Sequence, residues 1–190
     1  ISFTQAGVLS AAATVSYALG QIPAGFLADR YGPRRLFFVG LLGWSLLSLA
    51  LGFTHSYWLA LLTLFAAGAF RALLFAPGLA LLASWYPRER GVTAMSLYML
   101  GAYTGNILLA LAGPALTAGL GWRSAFILFA AAGVCAALAF ITLSSDKARK
   151  SNLRPFAIRE ALSLLRHKVL WLSSAIQMVR FSAVTGLVFW

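Results

Sequence analysis

Acidic residues are scarce in this chain: four Asp and Glu stand against fifteen Lys and Arg in 190 residues. All four, Asp29, Glu89, Asp146 and Glu160, fall between the long apolar runs and none within them. A proton relay needs a titratable group at membrane depth, so no run carries a carboxylate for that work. Charge of either sign is equally thin, at 10% of residues, too little to cover a soluble domain of this size. Cysteine is nearly absent. Cys135 stands alone among Ala and Gly, which excludes a disulfide framework and a cysteine metal site and leaves a small apolar filler. No phosphate loop joins a strand to a helix, so ATP hydrolysis has no support. No Ser-His-Asp set converges on one face, and His55 and His167 lie at opposite ends of the apolar runs. The chain is therefore expected to be no enzyme and to hold no cofactor and no metal. No N-terminal targeting peptide is visible.

What is present is apolar length. The chain is 61% hydrophobic with a mean hydropathy of +0.85. A bilayer core about 30 Å thick is crossed by about 20 apolar residues. Runs of that length occupy 4–28, 34–53, 57–86, 91–118, 122–144 and 168–190, giving six candidate spans. They are too long and too uniformly apolar for barrel strands, which alternate. Backbone groups in lipid must pair within the segment, so the spans are expected to be helices. The fold class is all-α, a polytopic transmembrane helix bundle.

The net charge is +11 and the pI near 10.9. On a soluble protein this would suggest nucleic acid. Here the basic residues sit between spans and alternate by loop, so the partner is a lipid bilayer and no nucleic acid is expected. Arg30, Arg34 and Arg35 follow the first span, Arg88 and Arg90 the third, and seven more lie in 145–168; the intervening turns hold only Arg123. The positive-inside rule makes the rich side cytoplasmic, including the loop at 29–35, and places Ile1 outside. The expected location is the cell (plasma or inner) membrane.

Small residues recur at helical spacing in three spans: Ser16, Gly20 and Ala24; Gly68 and Gly78; Gly101, Gly105 and Gly113. Such stripes let membrane helices approach closely. Pro23, Pro77 and Pro114 lie inside spans as candidate kinks or hinges. Segment 145–167 differs. Leu153, Phe156, Leu162 and Leu165 alternate with charged residues, which reads as an amphipathic cytoplasmic linker lying at the interface. Three domains follow: a bundle over 1–144, the linker over 145–167, and one further helix over 168–190. Ile1 and Trp190 are read as cut ends of a longer chain.

The most specific feature is the charged turn Gly25-Phe-Leu-Ala-Asp29-Arg30-Tyr-Gly32-Pro-Arg34-Arg35. Gly25 and Gly32 permit close approach and positive φ. Asp29 can accept from free N–H groups or face a helix N-terminus, and Arg30, Arg34 and Arg35 are near enough to pair with it. Glu89 and Arg90 lie in the next turn on the same side. A charge network between the two turns would act as a cytoplasmic gate; the alternative is topology alone, with basic residues holding the loop inside.

Gly25-x-Leu27-Ala28-Asp29-Arg30-x-Gly32-x-Arg34-Arg35 resembles the loop motif of the major facilitator superfamily, between the second and third helices of those transporters. Pro33 replaces the usual basic residue. Arg71 resembles the family's intramembrane arginine, although Phe75 replaces the first glycine of that motif. Gly113-Pro114 resembles its glycine–proline motif without the trailing glycines. The resemblance covers essentially the whole chain. It implies helices two to seven of twelve, a bundle lacking its first helix, and a carrier working by alternating access. That carrier would move a small solute with a coupling proton or ion as a further candidate partner.

Arg71 and Arg180 lie near the middle of their spans. A charge there costs about 2.5–3.5 kcal/mol on insertion scales, so each must face the bundle interior or water. Both are candidates for a substrate cavity, with Gln21, Tyr98, Tyr103, Asn106 and Gln177. Two arginines point to an organic anion. The alternatives are a drug or solute efflux antiporter of the same fold, or a non-transporting membrane receptor or enzyme. For each neutral polar residue the competing role is an interhelical hydrogen bond.

Overall fold

The computed structural model describes residues 2–144, 168, 171–176 and 178–180. Two compact units result, Ile1–Asn152 and Leu153–Trp190. In the second, the described residues are helical and exposed, within the expected span 168–190. The expected linker 145–167 lies outside the described residues.

The first unit is four helices: α1 Phe3–Tyr31, α2 Pro33–Gly52, α3 Tyr57–Trp85 and α4 Arg88–Leu143. α1 opens on a reciprocal cap, in which Gln5 N donates to Ser2 Oγ at 3.2 Å and Ser2 N to Gln5 Oε1 at 2.9 Å. It ends at Gly32, whose φ of 88° no other residue adopts cheaply. Pro33 then occupies the first turn of α2, where its missing N–H leaves nothing unpaired. The charged loop therefore shrinks to one residue. Asp29 and Arg30 sit in the last turn of α1, and Arg34 and Arg35 in the first turn of α2.

The expected turn at 119–123 is also a single break. Within α4 only Gly121 is non-helical, at φ 79° and ψ 155°. In an unbroken helix Gly105 and Gly133 would stand about 42 Å apart at 1.5 Å per residue. Both instead line one cavity, so α4 folds back at Gly121 into two arms, 88–120 and 122–143. Pro114, the expected kink, lies inside the first arm.

Side-chain neighbours give the order of packing. α1 lies parallel to α3: Tyr57 Oη donates to the Gln5 carbonyl at one end, and Gly20 meets Ala69 and Ala72 further on. α2 lies antiparallel to α3, with Phe37 near Gly78 and Gly40 near Phe70 and Leu73. It also lies antiparallel to the second arm of α4, where Phe37 meets Phe140 at 4.9 Å between ring centres, Ser45 meets Gly133 and Gly52 meets Ile127. One end of the unit thus gathers Arg30, Arg34, Arg35 and Arg90, and the other carries Arg123.

Among the described residues the buried apolar side chains are eight alanines, Leu36 and Pro77, and large side chains such as Trp58, Leu62 and Leu111 are exposed. A soluble core would be the reverse. In lipid no hydrophobic force draws leucine inward, so helices associate through small residues at close contact. Gly68 shows this most strongly: a Cβ there would run into the Ala13 carbonyl of α1. The expected stripe at Gly101, Gly105 and Gly113 does not pack this way. Among the described residues nothing lies within 4 Å of a Cβ at Gly101 or Gly105, and Gly113 meets only Leu109 of its own helix.

α2, α3 and α4 are long and apolar enough to cross a membrane. The 55 residues counted in α4 serve two crossings, because of the break at Gly121. α1 equals α3 in length but carries Gln5, Tyr17, Gln21 and four Ser and Thr residues and is not among the three.

Candidate functional site

Arg71 is the middle residue of α3, as Tyr17 is of α1. The Arg71 guanidinium carbon lies 5.1 Å from the centre of the Tyr17 ring and 5.7 Å from that of Trp44, near the middle of α2. Three helices thus meet on one cation at mid-span. Close packing makes this possible, because Gly20 and Gly40 let α1 and α2 approach α3 within a residue or two of Arg71. The rings attract the charge, by about 0.5–2 kcal/mol each depending on burial. That offsets much of the roughly 2.5–3.5 kcal/mol of placing an arginine at mid-bilayer. Ring faces do not satisfy the five in-plane N–H donors. Arg71 is exposed, and among the described residues no hydrogen bond engages those donors.

Gln21 lies one turn beyond Tyr17 on α1. Its Nε2 is buried without a hydrogen-bond partner, a condition that costs about 1–3 kcal/mol. Its neighbour Gly20 packs against Ala72, so the unmet amide sits near the level of Arg71.

Within the first unit, Tyr98, Tyr103 and Asn106 do not gather here. Tyr98 Oη donates to the Leu74 carbonyl at 3.2 Å, beside Pro77. It therefore makes the interhelical hydrogen bond weighed as its alternative role. Tyr103 and Asn106 are exposed on the first arm of α4. Gln177 lies outside the described residues, and Arg180 is an exposed helical residue of the second unit.

Trp44 has a second role in shape. With Leu41, Ser48, Leu109, Trp122 and Phe129 it lines a cavity of about 470 Å³ between α2 and the two arms of α4. Ser45 donates to the Leu41 carbonyl at 2.7 Å and Thr117 to the Gly113 carbonyl at 2.9 Å, so these hydroxyls in the wall are already engaged. The cavity is apolar and offers an anion little.

At the basic end the gate residues are arranged differently from expectation. Gly25 is helical with open space around its Cβ position; positive φ falls at Gly32 alone in this turn. Arg34 does not turn back to Asp29. Its Nε donates to Ser144 Oγ at 2.9 Å and its Nη2 to the carbonyls of Ile141, at 2.8 Å, and Ser144. Carbonyls at a helix C-terminus carry partial negative charge and lack intrahelical partners, so they compete well for a guanidinium. Asp29, Arg30, Arg35, Glu89 and Arg90 are exposed, and Arg30 lies against the Tyr31 ring at 5.5 Å. Among the described residues no ion pair joins Asp29 or Glu89 to these arginines, and no side chain caps α2.

The family model described as Major Facilitator Superfamily matches residues 1–190. The chain belongs to the major facilitator superfamily. Its curated relatives carry transporter names. A probable galactarate/D-glucarate transporter of Escherichia coli K12 is 31% identical over 67% of this chain and 30% of its own length. A probable chloroplastic anion transporter of Arabidopsis thaliana is 30% identical over 84% of this chain and 31% of its own. A probable nitrate/nitrite antiporter of Thermus thermophilus is 30% identical over 100% of this chain and 45% of its own. The chain thus spans less than half the length of these three relatives. As a superfamily member it is an integral membrane protein and a transporter rather than an enzyme, and α2, α3 and α4 fit membrane-crossing segments.

Tyr17 and Trp44 escaped the sequence reading. They lie on different helices from Arg71, and no spacing in the chain links the three. Ser144 escaped for the same reason.

Proposed function

We propose that the full-length protein is a secondary transporter of small organic anions working by alternating access, with Arg71 receiving a carboxylate of the solute. The observation that carries this reading is Arg71 itself: a mid-span guanidinium, exposed, stabilised by two rings and left with its hydrogen-bonding edge open. A planar fork of donors suits a planar carboxylate, which it can bind through two parallel hydrogen bonds. Gln21 offers an unmet amide donor near the same level. The relatives' names, which include galactarate/D-glucarate and anion transport, favour the same class of solute. Asp29, Arg30, Arg35, Glu89 and Arg90 line the basic, cytoplasmic end and serve the gate between inward and outward states. A proton or ion is the coupling partner, and the plasma or inner membrane the location.

The test is uptake of radiolabelled D-glucarate by the full-length protein in proteoliposomes. Arg71→Gln should abolish saturable uptake while the protein still inserts. Unchanged uptake by that variant would remove Arg71 from the mechanism. The 470 Å³ apolar cavity favours a second reading, export of a hydrophobic solute. Its sign would be competition by lipophilic cations with no response to D-glucarate.

A further inference from the structure

The rings of Tyr17 and Trp44 are the aromatic neighbours of the Arg71 guanidinium. Resting on the anion-receptor reading, we infer that these rings are positioning residues that hold the guanidinium in place without neutralising it. All three residues lie at or near the middle of their helices, one on each of α1, α2 and α3. The ring centres are 5.1 and 5.7 Å from the guanidinium carbon. A carboxylate partner at this depth would bind the N–H edge and compete with the solute for it. An aromatic face attracts the same charge through its quadrupole and accepts none of the in-plane donors strongly. The cation is thereby retained and its edge stays free. Restricting the guanidinium before the solute arrives also lowers the ordering cost of binding.

The composition agrees with this division of labour. Neither acidic residue of the first four helices lies at mid-span: Asp29 and Glu89 are both at helix ends. The rings on α1 and α2 also tie the receptor to two neighbouring helices, so its position depends on how those helices pack.

The experiment measures D-glucarate uptake by the full-length protein in proteoliposomes, normalised to inserted protein. Tyr17→Leu and Trp44→Leu should each raise KM roughly fivefold, the size expected for one lost cation–π contact, with Vmax held. Tyr17→Phe and Trp44→Phe keep a ring face and should return KM to within about twofold of the parent. A fall in Vmax at constant KM for the leucine variants would mark the rings as packing and overturn the inference. So would equal impairment in Tyr17→Phe and Tyr17→Leu, since the hydroxyl and not the face would then matter. If Arg71→Gln abolishes uptake while the leucine variants keep the parental KM, the aromatic role alone fails. If Arg71→Gln transports normally, the receptor reading fails and the inference with it. Trp44 also lines the apolar cavity, so Tyr17 provides the test that a folding defect at Trp44 cannot obscure.

Discussion

Arg34 binds the end of a helix 110 residues further along the chain: its Nε donates to Ser144 Oγ at 2.9 Å, and its Nη2 reaches the Ile141 and Ser144 carbonyls. The start of α2 is thereby fastened to the end of α4. The loop motif contributes a structural tie as well as charge.

Removing that tie should be measurable. Hydrogen bonds from a charged donor contribute roughly 1.5–3 kcal/mol. Arg34→Ala is expected to destabilise the detergent-solubilised protein by an amount in that range, read as a lower thermal midpoint. Ser144→Ala should cost less, about 0.5–1.5 kcal/mol, because the two carbonyl acceptors remain. Equal losses in the two variants would show that the carbonyls carry nothing.

Asp29 makes the opposite prediction. It is exposed and, among the described residues, joined to no arginine. Asp29→Asn should therefore leave stability within about 0.5 kcal/mol of the parent. If Asp29 serves the gate in another conformation, the same variant will slow transport while membrane insertion stays intact. Parental rates in a flux assay would remove it from the gate.

Two glycines should fail for different reasons. At Gly68 a Cβ would strike the Ala13 carbonyl, which is backbone and cannot swing aside. Gly68→Ala should push α1 from α3 and cost about 1–3 kcal/mol. At Gly121 space is open but φ is 79°, so Gly121→Ala should cost about 1–3 kcal/mol through backbone strain alone. Because the Gly68 variant alters the spacing around Arg71, it should also raise the transport KM; the Gly121 variant should change the melting midpoint only.

Orientation is open to direct measurement. Alternation of basic turns places the His55 turn and the segment near Asp146 on opposite sides of the membrane. Reporter tags at the two positions should be accessible from opposite compartments. Access from the same side would overturn the alternation of spans.

Much of this was legible in the chain. The expected spans 4–28, 34–53 and 57–86 meet α1, α2 and α3 within a few residues, because apolar length and its Gly-Pro punctuation are local properties. The fold-back near 119–123 was also expected, but not that one glycine would make it. Gly25 was misread, since nothing in a sequence says which glycine of a pair takes the positive φ. Arg34 is near enough to Asp29 in sequence to pair with it, but it binds Ser144 and the Ile141 carbonyl, which sequence spacing does not reveal.

Hydropathy and charge spacing by themselves determined an all-helical membrane bundle with its arginines gathered at alternate turns, since lipid leaves the backbone no other way to satisfy its hydrogen bonds. Only the tertiary structure decided what the arginines touch. Arg71 meets Tyr17 and Trp44, and Arg34 meets Ser144, because helices 20 to 56 residues long bring distant residues to one depth. No repeat in the chain records which residues will share that depth.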